Sequence, residues 1–457
     1  MKIDVSRQIL GRAARVLIFS LVLLALVMPA AHAAATRYWV KRYDGPAGGT
    51  DSAAAVTVDK SGLIYVAGRS TGVGSGEDYL VIKYRMAGGV EWKRDYDAAG
   101  LWDGARDVVV DDSGNVYVTG RSFGDGSHGD FATIKYNSNG AQRWVRRYSS
   151  AGYYDDGAMD MALDSNGNVI VTGFSTGPGS AYDFLTIKYG PDGSRKWVKR
   201  YDGPDNAGDI AQAVAVDEWD NIYVTGPSKG DGTNWDYCTI KYSPSGAVLW
   251  VNRWNSSFNV ADGATDITVD DEFDAVYVTG YSYRRGSNSD YVTIKYEADG
   301  TERWMRRYNG TAGGPDVAWG IAYDRRRACV TGSSLGRGSD TDYATVCYKR
   351  GGKEQWVQRY DGTASGADVA NAITAGRRKL YVTGYSNGSG TSGDYYTIAY
   401  GTVEGDTRWG DRYDGPASGF DQGNAVAFCD ARGKVYVTGG STGVVTKSDW
   451  ATIKYAP

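Results

Sequence analysis

The sequence predicts an all-β fold, an eight-bladed β-propeller of four-stranded antiparallel blades, and three observations carry that prediction. Tryptophan returns at Trp39, Trp92, Trp144, Trp197, Trp250, Trp304, Trp356 and Trp409, at intervals of 52 to 54 residues. Periods near 50 residues signal propellers or solenoids. The 457 residues include 63 Gly, 35 Tyr and 14 Trp, with Val, Ile and Thr gathered in short runs, which describes many strands joined by tight turns. The repeat fills residues 37–457 without interruption, so a single domain over residues 34–457 is the simpler count despite the length.

Taken in order, the chain opens on a leader. Lys2, Arg7, Arg12 and Arg15 precede an apolar run at residues 16–28, and Pro29-Ala30-Ala31-His32-Ala33 supplies an A-x-A-like cleavage site. Residues 1–33 therefore read as a secretory signal peptide. The apolar run is too short to span a bilayer, and no later stretch approaches 18 apolar residues. The expected product is an exported protein, periplasmic or secreted, without stable membrane insertion. Removing the leader takes a net +3 from the formal charge of −4 and leaves about −7. That balance argues against nucleic acid or an anionic membrane as partner.

The first full unit shows what one repeat contains. Residues 51–58 are small and alternating, 59–62 a turn, 63–68 a second strand, 70–77 a Gly/Ser-rich loop and 78–84 a third strand. A turn at Gly88-Gly89 leads to a fourth strand from Trp92. A four-stranded meander apolar on both faces needs a neighbour on each side, and a ring leaves no terminal repeat exposed. Blades converge at the axis, so the Ala/Gly/Val strand is expected innermost and the Trp strand outermost, where large side chains fill the widening gap. Eight inner–second–third trios begin at Asp51, Asp103, Asp156, Asp209, Asp262, Asp316, Asp368 and Asp421. One outer strand precedes the first trio and none follows the last. The Trp39 strand is therefore expected to complete the eighth blade and close the ring.

The units D-Y-V-T-I-K-Y-x-x-x-G-x-x-x-W-x-x-R-Y-N-G and G-N-V-Y-V-T-G closely resemble the bacterial β-propeller repeats known as SBBP repeats, over essentially the whole mature chain. The resemblance implies an exported or surface protein and a structural repeat, not a catalytic signature. The Gly-x-x-x-Trp step, as in Gly140 with Trp144, is similar to the tryptophan-docking motif of eight-bladed quinoprotein propellers, which implies eight blades with an outer Trp. The sequence has no adjacent Cys pair of the quinoprotein dehydrogenase kind, and no cofactor is expected.

Several residues recur for structural reasons. Arg stands third after Trp in seven units (Arg42, Arg147, Arg200, Arg253, Arg307, Arg359, Arg412), whereas the Trp92 unit shifts it to Arg94 with Asp95 behind. The Asp opening each third strand (Asp78, Asp130, Asp183, Asp236, Asp290, Asp342, Asp394, Asp449) is the natural carboxylate partner. The Asp-x-x-Gly-Asn turns have single acids with Ser, Gly and Asn, which is Asx-turn chemistry rather than a Ca²⁺ loop. Cys329 and Cys347 lie on neighbouring antiparallel strands of one repeat, and a register pairing Ser334 with Asp342 sets them opposite. A Cys329–Cys347 disulfide is expected, with Cys238 and Cys429 free.

Function is less legible. The mature chain has one His, His128, so triads and His-based metal sites have almost nothing to draw on. Repeat lengths vary by only two residues, so no blade carries a lid-sized insertion. The non-recurring rim aromatics Trp102, Tyr153, Tyr154, Tyr182, Trp235, Phe258 and Phe420 are the candidate ligand-binding residues. Exposed aromatics near loop carboxylates suit saccharide stacking or protein hot spots. Asp107, Asp160 and Asp266 replace the Ala or Gly of the other inner strands and are candidates for a cation site near the axis. The reading is a monomeric, non-catalytic binding or scaffolding module for a glycan or an extracytoplasmic protein. The alternative is a glycoside hydrolase or lyase using paired Asp residues.

Overall fold

The computed structural model describes residues 33–124, 128–150, 155–177, 179, 181–256, 259–284, 288–338, 340–364, 366–445 and 447–456. The leader and the candidates Tyr153, Tyr154 and Phe258 lie outside the described residues. Eight antiparallel sheets, each of four long strands, form the eight blades of a propeller. Blades 1 to 8 are numbered by their inner strands: Ser52–Val58, Asp103–Val110, Asp156–Leu163, Ala213–Val216, Asp262–Asp270, Asp316–Tyr323, Asp368–Gly376 and Asp421–Cys429. The strand Arg37–Tyr43 pairs with Asp449–Tyr455, Trp39 opposite Lys454 and Tyr43 opposite Trp450. It is the outer strand of blade 8, as expected.

Small residues let the inner strands converge. Ala53, Ala158, Ala211, Ala264, Ala318 and Ala370 are all fully or almost fully buried. Each resolved inner-strand ladder then slips by one residue, between Ala105 and Asp107 in blade 2 and at the matching place elsewhere. Such a bulge re-aims the extra residue. The second-strand glycine of V-T-G makes it possible: a β-carbon at Gly120 would collide with the Gly104 carbonyl. Across seven blades the adjacent Thr forms a buried hydroxyl pair with the third strand, as in Thr119–Thr133 at 3.0 Å. Blade 1 has Ala67 opposite Val81 there instead.

Adjacent blades are joined by the outer tryptophans. Trp92 Nε1 donates to Ser138 O (3.1 Å) in the turn of blade 2, and its ring lies against Gly140, whose φ of +79° only glycine adopts readily. The same bond recurs from Trp39, Trp144, Trp197, Trp250, Trp304 and Trp356 into the next blade. Trp409 differs: its Nε1 is buried without a hydrogen-bond partner. Its neighbour, blade 8, has no third-to-outer turn because those two strands are the last and first of the ring.

All seven Arg–Asp pairs form within their own blades, at 2.6–3.1 Å. Arg94 is not a displaced eighth member. Successive strand residues point to opposite faces, and Arg94 Nε donates to Gly140 O (2.6 Å) just as Arg146 and Arg306 do to Gly193 O and Gly352 O. The place of the guanidinium in blade 1 belongs to Asp95.

The turns behave as Asx turns. Asp59 Oδ1 accepts the N–H groups of Ser61 and Leu63, both at 2.9 Å, and Asp111 and Asp164 repeat the pattern. Cys329 and Cys347 are opposite in register and disulfide-bonded, with Ser334 opposite Asp342. Cys238 and Cys429 are free and buried. No helix among the described residues is long and apolar enough to cross a membrane.

Candidate functional site

Because every inner strand bulges at the same position, eight side chains are turned toward the axis. Ala54, Arg106, Met159, Gln212, Thr265, Trp319, Asn371 and Asn424 all line one cavity of about 640 Å³. Ser52, Gly104 and Gln422, which lie at or near the start of their inner strands, line it as well, so it lies toward that rim. Its size is that of a small-ligand pocket. Arg69 and Arg106 mark one side of the cavity, on blades 1 and 2, and Asp160 and Asp266 the other, on blades 3 and 5. Burial, with Arg69 and Arg121 nearby, lowers the pKa of Arg106. Trp319 keeps 45% of its surface exposed, the highest value for an aromatic on this cavity.

The three inner-strand acids staple neighbouring blades. Asp107 accepts the N–H of Val108 (2.7 Å) and of Met161 in blade 3 (3.2 Å). Asp160 accepts Val214 N–H in blade 4 (2.7 Å), and Asp266 accepts Ile321 N–H in blade 6 (2.8 Å). Asp107 and Asp160 also hydrogen-bond to one another. Burial foremost, and the neighbouring Asp107 charge, raise Asp160 well above the carboxylate range, and burial pushes Asp266 up to about 6. Two carboxyls in direct contact share a proton; the spacing that flanks a glycosidic bond is roughly 5 Å or more. Asp160 and Asp266 reach the cavity, whereas Asp107 does not.

Of the rim aromatics, Trp102 alone among the described candidates lines the cavity. Its Nε1 donates to Glu77 Oε2 (2.6 Å), which holds the indole over Gly104. Tyr182 packs on Phe174 (4.8 Å between ring centroids), Trp235 covers Gly208, and Phe420 packs on Tyr385 (5.1 Å). These three cap separate blade ends and are not brought together. His128 is exposed.

The bulged ring is what sequence reasoning missed. Its signal is an inner-strand column that changes chemistry from repeat to repeat, lying between a fixed small residue and the Asp/Ala/Gly column. Among the described residues the rim also carries five acid groups at the same place in the repeat: Asp44, Asp51 and Asp449; Asp78, Asp97 and Asp103; Asp183, Asp202 and Asp209; Asp342, Asp361 and Asp368; and Asp394, Asp414 and Asp421. Within each group, carboxylate oxygens lie within 4.8 Å of one another. Asp107, Asp160 and Asp266 do not form such a group among the described residues.

No family model and no curated protein sequence matches the chain. A europium-containing methanol dehydrogenase is similar in structure, with a TM-score of 0.52 and 11% identity over 93% of each chain. A polysaccharide lyase, Uly1, aligns with a TM-score of 0.44 and 10% identity over 88% of this chain and 90% of its own. A eukaryotic initiation factor structure aligns with a TM-score of 0.42 and 9% identity over 78% and 77%. At these identities the dehydrogenase likeness speaks for the propeller fold alone.

Proposed function

We propose that this chain is an exported, non-catalytic binding module whose axial cavity takes a glycan. The observation that supports this reading is the ring of bulged side chains. Trp102 and Trp319 offer apolar faces for sugar rings, while the Gln212 amide and the side-chain oxygens of Asn371, Asn424 and Thr265, whose donors are held by the next blade, offer directed hydrogen bonds. Arg106, with Arg69 beside it already paired to Glu77 (3.2 Å), favours a sugar bearing an acidic group on that side. None of these bulged side chains belongs to a blade core, although three also tie neighbouring blades together: Thr265 Oγ1 donates to Ala318 O (2.9 Å), Asn371 Nδ2 to Gly423 O (2.9 Å) and Asn424 Nδ2 to Ala53 O (2.8 Å). Export fits the disulfide and the leader sequence. The resemblance to SBBP repeats points the same way.

The second reading, a carbohydrate-active enzyme, rests on Asp160 and Asp266, two raised carboxyls on the same cavity. A glycan array containing neutral and uronic-acid-bearing oligosaccharides tests both. The binding reading expects saturable binding, weakened at least ~10-fold by Trp319→Ala, with the hit recovered intact after prolonged incubation. Cleavage of the hit would overturn it in favour of the enzyme.

A further inference from the structure

Blade 1 holds a cavity where the other seven blades hold a guanidinium. In blade 8, Arg42 sits among five groups: the Tyr413 hydroxyl of the preceding blade (3.1 Å), the Ser441 hydroxyl, the Ser441 and Thr442 carbonyls (both 3.2 Å), and Asp449 Oδ2 (2.7 Å). Arg147, Arg253, Arg359 and Arg412 repeat the serine, carbonyl and aspartate contacts in their own blades and the tyrosine contact to the preceding one. By repeat register the blade 1 counterparts are Tyr43, Ser70, Thr71 and Asp78. All four line one cavity of about 320 Å³, together with Asp95 and Asp97.

The seat is built and its charge is unbalanced. Asp78 is 8% exposed, and its Oδ2, the oxygen that meets the arginine in the other blades, meets none here; its Oδ1 is buried without a partner, as are those of Asp236 and Asp394. Ser75 Oγ donates to Oδ2 (2.9 Å), and Asp78 is in no salt bridge among the described residues. Its oxygen lies within 4.8 Å of those of Asp97 and Asp103. Of the five acid groups on the rim, this is the one whose third-strand Asp lacks an arginine; Asp449, Asp183, Asp342 and Asp394 each have theirs. Burial, then the charges of Asp97, Asp103 and Asp95, push Asp78 up to about 6. Lys93, also on the cavity wall, stands over the Tyr43 ring at 5.2 Å. A carboxylate, two carbonyls and two hydroxyls that match a planar fork suit a guanidinium. A divalent cation instead wants six or more oxygens converging on one point.

We propose that this seat binds a guanidinium group supplied from outside the chain, on an arginine side chain of another protein or on a small molecule. It complements the axial cavity and does not depend on the glycan reading. Calorimetric titration of the purified protein with methylguanidinium chloride tests it. Expected is saturable 1:1 binding with a Kd on the order of 1 mM, and at least ~10-fold weaker binding of methylammonium and of Ca²⁺. Asp95→Arg, which returns the chain's own guanidinium, is expected to weaken methylguanidinium binding at least ~10-fold while raising the melting temperature. Asp78→Asn should weaken it as much. If that variant does not fold, Asp95→Arg still decides. The peptide acetyl-Gly-Arg-Gly-amide distinguishes the sources: tighter binding than methylguanidinium assigns the group to a protein, equal binding to a small molecule. No binding up to about 10 mM, unchanged affinity in Asp95→Arg, or Ca²⁺ binding as tightly would overturn the proposal.

Discussion

Replacing Trp304 by Phe and Trp409 by Phe is expected to have unequal consequences, although the two side chains are buried alike. Trp304 is 6% exposed and Trp409 5%. Each packs between two tyrosines, Tyr277 and Tyr348 for the first (5.8 and 5.9 Å), Tyr381 and Tyr455 for the second (6.1 and 5.3 Å). Both substitutions lose the same slice of indole, and phenylalanine keeps a ring beneath Arg306, which stands over Trp304 at 5.6 Å. They differ in the hydrogen bond. Trp304 Nε1 donates to Arg350 O at 2.9 Å, so its loss also strands a carbonyl. Trp409 Nε1 has nothing to lose, and its removal deletes an unsatisfied buried donor. The difference is about 1–3 kcal/mol in favour of Trp409→Phe. Over residues 34–457, at ~2.1 cal/mol/K per residue, that is a melting-temperature gap of about 1–3 °C. Differential scanning calorimetry of the two variants reads it directly. Equal shifts would refute the claim that the seam between first and last strands deprives Trp409 of its acceptor.

Three other outcomes are expected. Asp78 and Asp266, both near 6 in the fold against an ordinary value of 3.8, bind more protons folded than unfolded. Their contribution is therefore full below about pH 4 and lost as pH rises through about 6. Melting temperature is expected to fall across that window, and less steeply in Asp78→Asn; a flat or rising profile contradicts it. Cys329→Ser with Cys347→Ser is expected to cost about 3 kcal/mol on the chain-entropy account of a loop this size, measured by urea unfolding, and non-reducing peptide mapping of the parent should recover the two cysteines linked. Deleting residues 37–45 removes the outer strand of blade 8 and bares the edge of Asp449–Tyr455. Light scattering should show aggregation, and unchanged solubility and melting temperature would count against the closure.

The blade plan was legible because each of its determinants recurs. Eight tryptophans, eight inner strands and a leading unpaired strand leave little freedom, and the register needed for Cys329 and Cys347 follows from a repeated strand pair. The site was harder because bulges decide it. A one-residue slip between Ala105 and Asp107 turns Arg106 to the axis, and nothing in Arg106 itself announces that direction. Rim aromatics attract notice through their chemistry, yet Tyr182 and Phe420 are occupied with Phe174 and Tyr385. Trp102 reaches the cavity only because Gly104 lets its ring lie close. Arg94 misleads in the linear sequence for the opposite reason: one step along a strand changes the face, so adjacency is not equivalence.

The seam in blade 8 also gives the ring a mechanical direction. Arg37 lies opposite Tyr455, and Ala456 N–H donates to Thr36 O at 2.9 Å, so the two strand ends sit side by side at one end of their ladder. A force drawing those ends apart loads the rungs one after another, from Ala456 inward to the pair of Tyr43 and Trp450. The clasp therefore peels instead of shearing, and it yields at a tension set by single rungs.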